Sequence, residues 1–330
     1  MNNRQFVLVA GYGWTGSSAL VDMLKEYDHM YEADVEFRLI KDPKGIADLY
    51  NNIVTKWDPL NVDIAIRDFL WLVNKLNKPK NKLSFNSGLG YCNYFGDNYL
   101  KASKQYLSDI TDFKYSSFWW YLDFINTPFN IYKRKISKKL FKDTKNEQMF
   151  FSDISSESFI EKTHIFITSL FEPIIDRDSR YIILDQAVSA QNCLQEMIFI
   201  PDSKVIIVDR DPRDIYADLM KDGNLIGQEL KKSHDVNKYI AWHKALRKSR
   251  SDIKGSENVL FIRFEDLIYS YDETERSIEE FLGLSHDDHK RRKEIFTPEI
   301  SAKNVGFWKN TLTSNELDII RSNLKEDLYL

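Results

Sequence analysis

Three glycines and three hydroxyls crowd one turn near the start of the chain: Gly11, Gly13 and Gly16, with Thr15, Ser17 and Ser18. That composition suits an anion. Glycines let backbone N–H groups approach a charged oxygen, and hydroxyls at a helix start add donors to its positive dipole end. The pattern G-x-x-x-x-G-K-[ST] fits at Gly11 and Gly16 but has Ser17 where a lysine would reach the terminal phosphates of ATP or GTP, which disfavours a nucleotide triphosphatase. The turn reads as a phosphate cradle, with a plain strand–helix connection as the alternative.

Two arginines form the second chemical feature. Arg210 and Arg213 lie in Asp209-Arg210-Asp211-Pro212-Arg213-Asp214, directly after the apolar run Val205 to Val208. Guanidinium groups at the C-terminal edge of a strand can take a phosphate bidentately. The competing reading is an Arg–Asp salt-bridge lattice, more so for Arg213 than for Arg210. Asp211 suits a helix cap and Pro212 a first helical turn. Two further segments are weak singly: Arg263-Phe264-Glu265-Asp266-Leu267, and Lys303 to Asn310 with Gly306, Trp308 and Lys309.

These features need a scaffold. Phe6–Ala10, Tyr181–Leu184, Lys204–Val208 and Asn258–Ile262 are short apolar runs of the kind buried in a parallel sheet, and a short strand is expected near Met30–Ala33. Helical patterns lie between them at 190–198, 213–220 and 236–251. Alternating strands and helices imply an open parallel sheet with ligands at the strand C-termini. Residues 45–175 differ: they are aromatic-rich, mostly helical in pattern, and read as an insertion beside the sheet. The whole chain, 1–330, is expected to be one α/β domain carrying that insertion.

Composition narrows the function classes. A chain of 330 residues with 43% hydrophobic residues can bury an enzyme-sized core. Its net charge of −4 supplies no global field for nucleic acid. Cys92 and Cys193 make no disulfide framework and read as reduced thiols in a cytoplasmic protein; no membrane span and no signal peptide are expected. The histidines have no zinc spacing, and no metal is expected.

In order, the glycine–hydroxyl cradle, the strand–RDPRD–helix segment, F-E-D-L, F-L-G-L at Phe281–Leu284 and G-F-W-K-N at Gly306–Asn310 resemble the sulfotransferases that use 3′-phosphoadenosine 5′-phosphosulfate (PAPS), of the bacterial, carbohydrate-acting kind. The resemblance covers residues 5–40 and 180–312. It implies a P-loop-like three-layer α/β/α fold with a central parallel sheet and a large helical insertion at 45–175 on the acceptor side. It implies PAPS as co-substrate and PAP as product. Gly13, Trp14, Thr15, Gly16, Ser17 and Ser18 would form the 5′-phosphosulfate loop, Arg210 would hold the 3′-phosphate with Asp218 beside it, and Gly306, Lys309 and Asn310 would cover the nucleotide. Glu36-Phe37-Arg38 is similar to the E-x-R of tyrosylprotein-type sulfotransferases, which makes Glu36 the expected base.

Two positions depart from the family. Trp14 stands where a lysine or arginine usually precedes the cradle, so Arg38, Lys41 or Lys309 must supply the cation at the leaving oxygen, with Arg38 and Lys309 preferred. Asp218 stands where the family has a serine, and a carboxylate there repels phosphate unless it pairs with an arginine. For the acceptor, the aromatic insertion and the basic run Lys133, Arg134, Lys135, Lys138, Lys139 and Lys142 suit a carbohydrate, a glycolipid or capsule precursor, or a membrane surface. A P-loop nucleotide kinase and a non-catalytic nucleotide binder are the alternatives.

Overall fold

A computed structural model of the chain describes residues 4–80, 87–117 and 147–330, with positions 119, 121, 128, 129, 131, 132 and 136 between them. The six basic residues from Lys133 to Lys142 named above lie outside the described residues. The chain divides into two compact units. The first comprises Met1–Lys41, Asn93–Phe95 and Phe171–Leu330, and the second Asp42–Cys92 and Gly96–Leu170.

The first unit is built on a parallel sheet. Its strands are β1 (Gln5–Gly11), β2 (Met30–Glu32), β5 (Tyr181–Asp185), β6 (Ser203–Asp209) and β7 (Val259–Arg263), in the order β2-β5-β1-β6-β7. Four coincide with the apolar runs of the sequence, and β2 with the short strand expected near Met30–Ala33. Both faces of β1 are sealed: Phe6 to Ala10 are buried without interruption, which is why the run is apolar at every position rather than at alternate ones. On one face Val7, Val9, Ile183, Ile206 and Val208 pack with Leu20, Val21 and Leu24 of α1 (Ser17–Leu24) and with Ile278 and Leu282 of α7 (Tyr271–Leu282). On the other, Phe6 meets the edge of Phe171, which ends α4 (Ser156–Phe171), at 5.8 Å. The sheet is parallel, five-stranded and flanked by helices, consistent with the expected three-layer arrangement.

Two expected helices are shorter than their patterns. The 190–198 segment holds only a single turn, Cys193–Glu196, before a 3₁₀ turn. The 236–251 segment is helical over α6 (Val236–Leu246) and breaks where Arg247 turns inward to Asp209, then resumes at Arg250. Helix α5 (Pro212–Asp222) starts as the sequence indicates: Pro212 occupies its first turn, and the Asp211 carboxylate accepts the Arg213 N–H at 2.8 Å.

The second unit contains the helices α2 (Pro59–Asn77) and α3 (Asn98–Asp109) and most of α4. It also holds an antiparallel pair, β3 (Phe113–Ser117) with β4 (Glu147–Phe151), which the helical reading of 45–175 did not anticipate. Asp63 of α2 is fully buried and clamps this pair: it accepts the Phe150 N–H at 3.0 Å and pairs with Arg67 at 2.8 Å. No helix among the described residues is long and apolar enough to cross a membrane.

One buried ionic network fixes the segment that walls the functional cavity. Glu26, after α1, accepts backbone N–H groups from Lys293, Ile295 and Phe296 at 3.0, 2.8 and 2.7 Å, and the His289 ring at 2.8 Å. The other His289 nitrogen meets Glu275 of α7 at 2.5 Å. Truncating Glu26 strands all these donors in a dry interior. Glu26→Ala is therefore expected to cost about 3–5 kcal/mol, read as a lower urea midpoint at an unchanged m-value.

Candidate active site

The cradle is assembled by backbone geometry before any side chain matters. After β1 the chain turns through Gly13 (φ 87°), Trp14 (φ 55°) and Gly16 (φ 80°) into α1. Gly16 is obligatory twice over. Its φ lies in the left-handed region, and a Cβ there would fall 2.4 Å from the Phe264 ring. No side chain caps α1. Ser17 begins the helix, and Ser18 is exposed. The Thr15 hydroxyl is buried without a hydrogen-bond partner. Its Oγ1 sits 2.3 Å from where a Cβ on Gly11 would be, which explains the glycine at that strand end.

Beside the cradle opens a cavity of about 440 Å³. Gly16, Ser18, Ala19 and Asp22 form one wall, Arg210 and Asp218 another, Phe264 the base, and 295–304 the far side. Arg210 is 4% exposed, and its guanidinium binds three separate elements. It donates to the Trp14 carbonyl at 3.1 Å, to Asp218 at 2.6 Å and to the Asn304 carbonyl at 2.5 Å. It lies 5.3 Å from the Phe264 ring centroid, and its Nε has no partner. Asp218 thus pairs with an arginine, the arrangement under which an acid is tolerable at a phosphate site.

Arg213 takes the lattice role. It donates through Nε and Nη2 to Asp211, binds the Tyr329 carbonyl at 3.0 Å, and stacks on Trp308 at 4.4 Å. Asp214 accepts the N–H groups of Gly306 and Trp308 at 2.8 and 3.1 Å, which docks the 306–310 turn on the start of α5. Burial raises the Asp214 pKa, with those two N–H groups opposing. Behind the cradle, Asp209 is buried against Arg247 at 2.6 Å and Arg250 at 3.3 Å. Burial alone would raise the Asp209 pKa; the arginines outweigh it and hold it below the ordinary value.

The remaining predicted residues are dispersed around this frame. The Trp14 indole does not line the cavity; its Nε1 donates to Asp222 at the end of α5, at 2.8 Å. Glu36 and Arg38 pair with each other at 3.0 Å. Lys309 and Asn310 are exposed, and the Lys309 ammonium lies 5.7 Å from the Trp308 ring centroid. The cation linked to the cradle is instead Lys41, through one intermediary. Lys41 Nζ donates to Gln186 Oε1 at 2.6 Å, and Gln186 Nε2 donates to Ser17 Oγ at 3.2 Å.

Two residues of this group were not singled out by sequence. Asp185 ends β5, paired in register with Val9 of β1, and its backbone carbonyl accepts the Phe37 N–H at 2.8 Å. Gln186 follows with φ 57°, an uncommon conformation for a non-glycine residue. Burial, the adjacent Glu36 charge and, more weakly, Glu32 push the Asp185 pKa up to about 6, against the pull of Lys41. A polar dipeptide at a strand end was a legible signal, because open sheets place ligands there.

A model of the sulfotransferase family matches residues 156–288, about two-fifths of the chain. No curated protein matches it. Among solved structures, the sulfotransferase domain of the Synechococcus olefin synthase aligns over 100% of this chain and 97% of its own, at 14% identity and TM-score 0.45. The sulfotransferase domain of the curacin biosynthetic pathway aligns over 100% and 99%, at 13% identity and TM-score 0.44. A sulfotransferase from Alicyclobacillus acidocaldarius aligns over 96% and 100%, at 14% identity and TM-score 0.34.

Gly16→Ala tests the cradle. It forces an L-residue into the left-handed region and a methyl into Phe264, so a loss of about 2 kcal/mol or more is expected. Thermal melting of the variant against wild type measures it; an unchanged midpoint would mean the turn is not built as described.

Proposed function

We propose that this chain is a sulfotransferase that takes a sulfuryl group from PAPS and passes it to an acceptor hydroxyl. The observation that carries this reading is the set of unpartnered polar atoms at one turn. Thr15 Oγ1 and Arg210 Nε are buried donors with nothing to bind, beside a helix start with no cap. Orphaned buried polar groups are rare in native structures and mark sites completed by a ligand. A nucleotide phosphosulfate supplies the missing acceptors, with the 5′ group at the Thr15–Ser18 turn and the 3′-phosphate at Arg210. Phe264 offers the base an aromatic face, and the missing Walker lysine argues against a kinase.

The chain's own groups would divide the work as follows. When bound, PAPS supplies an activated sulfuryl group on a phosphate leaving group. Cradle N–H groups and hydroxyls neutralise its oxygens in a preorganised setting. Lys41, held by Gln186 at Ser17, takes the place of the cation missing at Trp14. The acceptor proton passes to a carboxyl at the sheet edge, among Glu36 and Asp185. For the acceptor we propose a carbohydrate hydroxyl. The second unit exposes Trp71, with the Lys44 ammonium 4.9 Å from its ring centroid, a combination suited to an anionic sugar ring.

Calorimetry and melting with PAP and AMP test the nucleotide. PAP at about 100 times its dissociation constant should add roughly 2.7 kcal/mol of stability, with a much smaller shift from AMP. Equal shifts would remove the 3′-phosphate from the reading. Because Asp218 competes for Arg210, Asp218→Asn should tighten PAP binding by about tenfold, ~1.4 kcal/mol, and leave AMP unchanged. Weaker PAP binding by that variant would mean that Asp218 orients Arg210 more than it opposes phosphate.

A further inference from the structure

We infer that Asp185 accepts the proton of the acceptor hydroxyl, and that Glu36 acts on it as a positioning residue. This rests on the sulfotransferase reading above. The placement is the first argument. Asp185 closes the strand beside β1, and the next residue, Gln186, reaches both the cradle and its cation: its N–H binds the Val9 carbonyl at 3.0 Å, its amide binds Ser17 and it receives Lys41. Asp185 is thereby one residue from a side chain that touches both Ser17 of the cradle and Lys41.

The second argument is the state of the carboxyl itself. Asp185 Oδ1 is enclosed and has no hydrogen-bond partner. A buried acceptor left without a donor costs about 1–3 kcal/mol, and such a cost persists where the atom has another task. Glu36 is in the opposite condition. Its side chain is 48% exposed and bound by Arg38 at 3.0 Å. The charged groups facing Asp185 are Glu36, Glu32 and Lys41. Burial and the two carboxylates raise its basicity to a midpoint of about 6, suited to a base near neutral pH.

The step balances without a further reactant beyond PAPS. The acceptor oxygen forms its bond to sulfur while the bond from sulfur to the bridging phosphate oxygen breaks. The electron pair of that bond leaves on PAP. The hydroxyl proton goes to the Asp185 carboxylate, and Lys41 and the cradle face the departing charge.

The test uses the full chain, PAP, and ³⁵S-labelled PAPS with a panel of p-nitrophenyl glycosides and water as acceptors. Aspartate carboxyls labelled with ¹³C are titrated by NMR, with Asp185→Asn identifying the Asp185 signal. Asp185→Asn should bind PAP within about twofold of wild type and lose roughly 100-fold or more in transfer. Glu36→Gln should lose only a few-fold. In that variant both the Asp185 titration and the acid limb of the rate profile should move to lower pH, because a negative neighbour is gone; a merely structural Glu36 would move neither. Transfer retained in Asp185→Asn but lost in Glu36→Gln would overturn the assignment in favour of Glu36. So would an Asp185 midpoint at the ordinary carboxylate value of about 4, whether or not any glycoside is sulfated. Should Asp185→Asn melt far below wild type, the Glu36→Gln titration shift still decides. Failure of the wild type to bind PAP is a separate result that overturns the parent reading.

Discussion

The site depends on one buried guanidinium. Arg210 leaves β6 at its C-terminal end and is nearly sealed from water, so its Nη1 and Nη2 donors are satisfied from within while Nε has no partner. Three elements distant in sequence provide the acceptors: the cradle turn through the Trp14 carbonyl, α5 through Asp218, and the 302–310 segment through the Asn304 carbonyl. The same charge that would recognise a phosphate therefore also holds the cavity walls in register. Asp218 makes this possible in the free protein, because an unpaired guanidinium at that depth carries a large desolvation cost. A phosphate bound at Arg210 would have to share or displace that carboxylate.

The sheet was legible because burial on both faces leaves no room for ambiguity. A run such as KVIIV has no solvent side, so its apolar continuity marks a central parallel strand, and five strands stand where such runs or their short companion were read. The antiparallel pair in the second unit was not legible. FKYSS and EQMFF lie about thirty residues apart, each short and only partly apolar; EQMFF is anchored by Asp63 and Arg67 of α2, and FKYSS pairs with it. Helix ends were lost for a related reason. The pattern of 236–251 is helical throughout, but Arg247 turns inward, with its Nη2 on Asp209 at 2.6 Å, and this ion pair outweighs local propensity.

The cradle turn and the Arg210 segment were readable and the Asp185–Gln186 pair was not, and the difference is physical. A cradle is a backbone object: glycines at fixed spacing announce positive φ and close approach, whatever the partners are. The Arg210 segment likewise carries its cap, its proline and its charge in six consecutive residues. Asp185 and Gln186 carry no such local mark. Their chemistry comes from Lys41 and Glu36, some 145 to 150 positions earlier, brought alongside by the Phe37 N–H to Asp185 carbonyl bond. Glu36-Phe37-Arg38 drew attention as a motif, yet its two charges satisfy each other at the surface.

The cradle is thus flanked by two ion-pair systems of opposite purpose. On the Arg210 side a guanidinium is neutralised by a carboxylate, which keeps a cation buried without destroying its affinity for a second anion. On the Asp185 side Glu36 is held by Arg38 and Glu32 by Lys25, and burial presses Asp185 toward the neutral form. The cradle touches both sides, since Trp14 touches Arg210 and Ser17 touches Gln186. That is why the conformation of a six-residue turn, fixed by Gly16 against Phe264, constrains both charge systems at once.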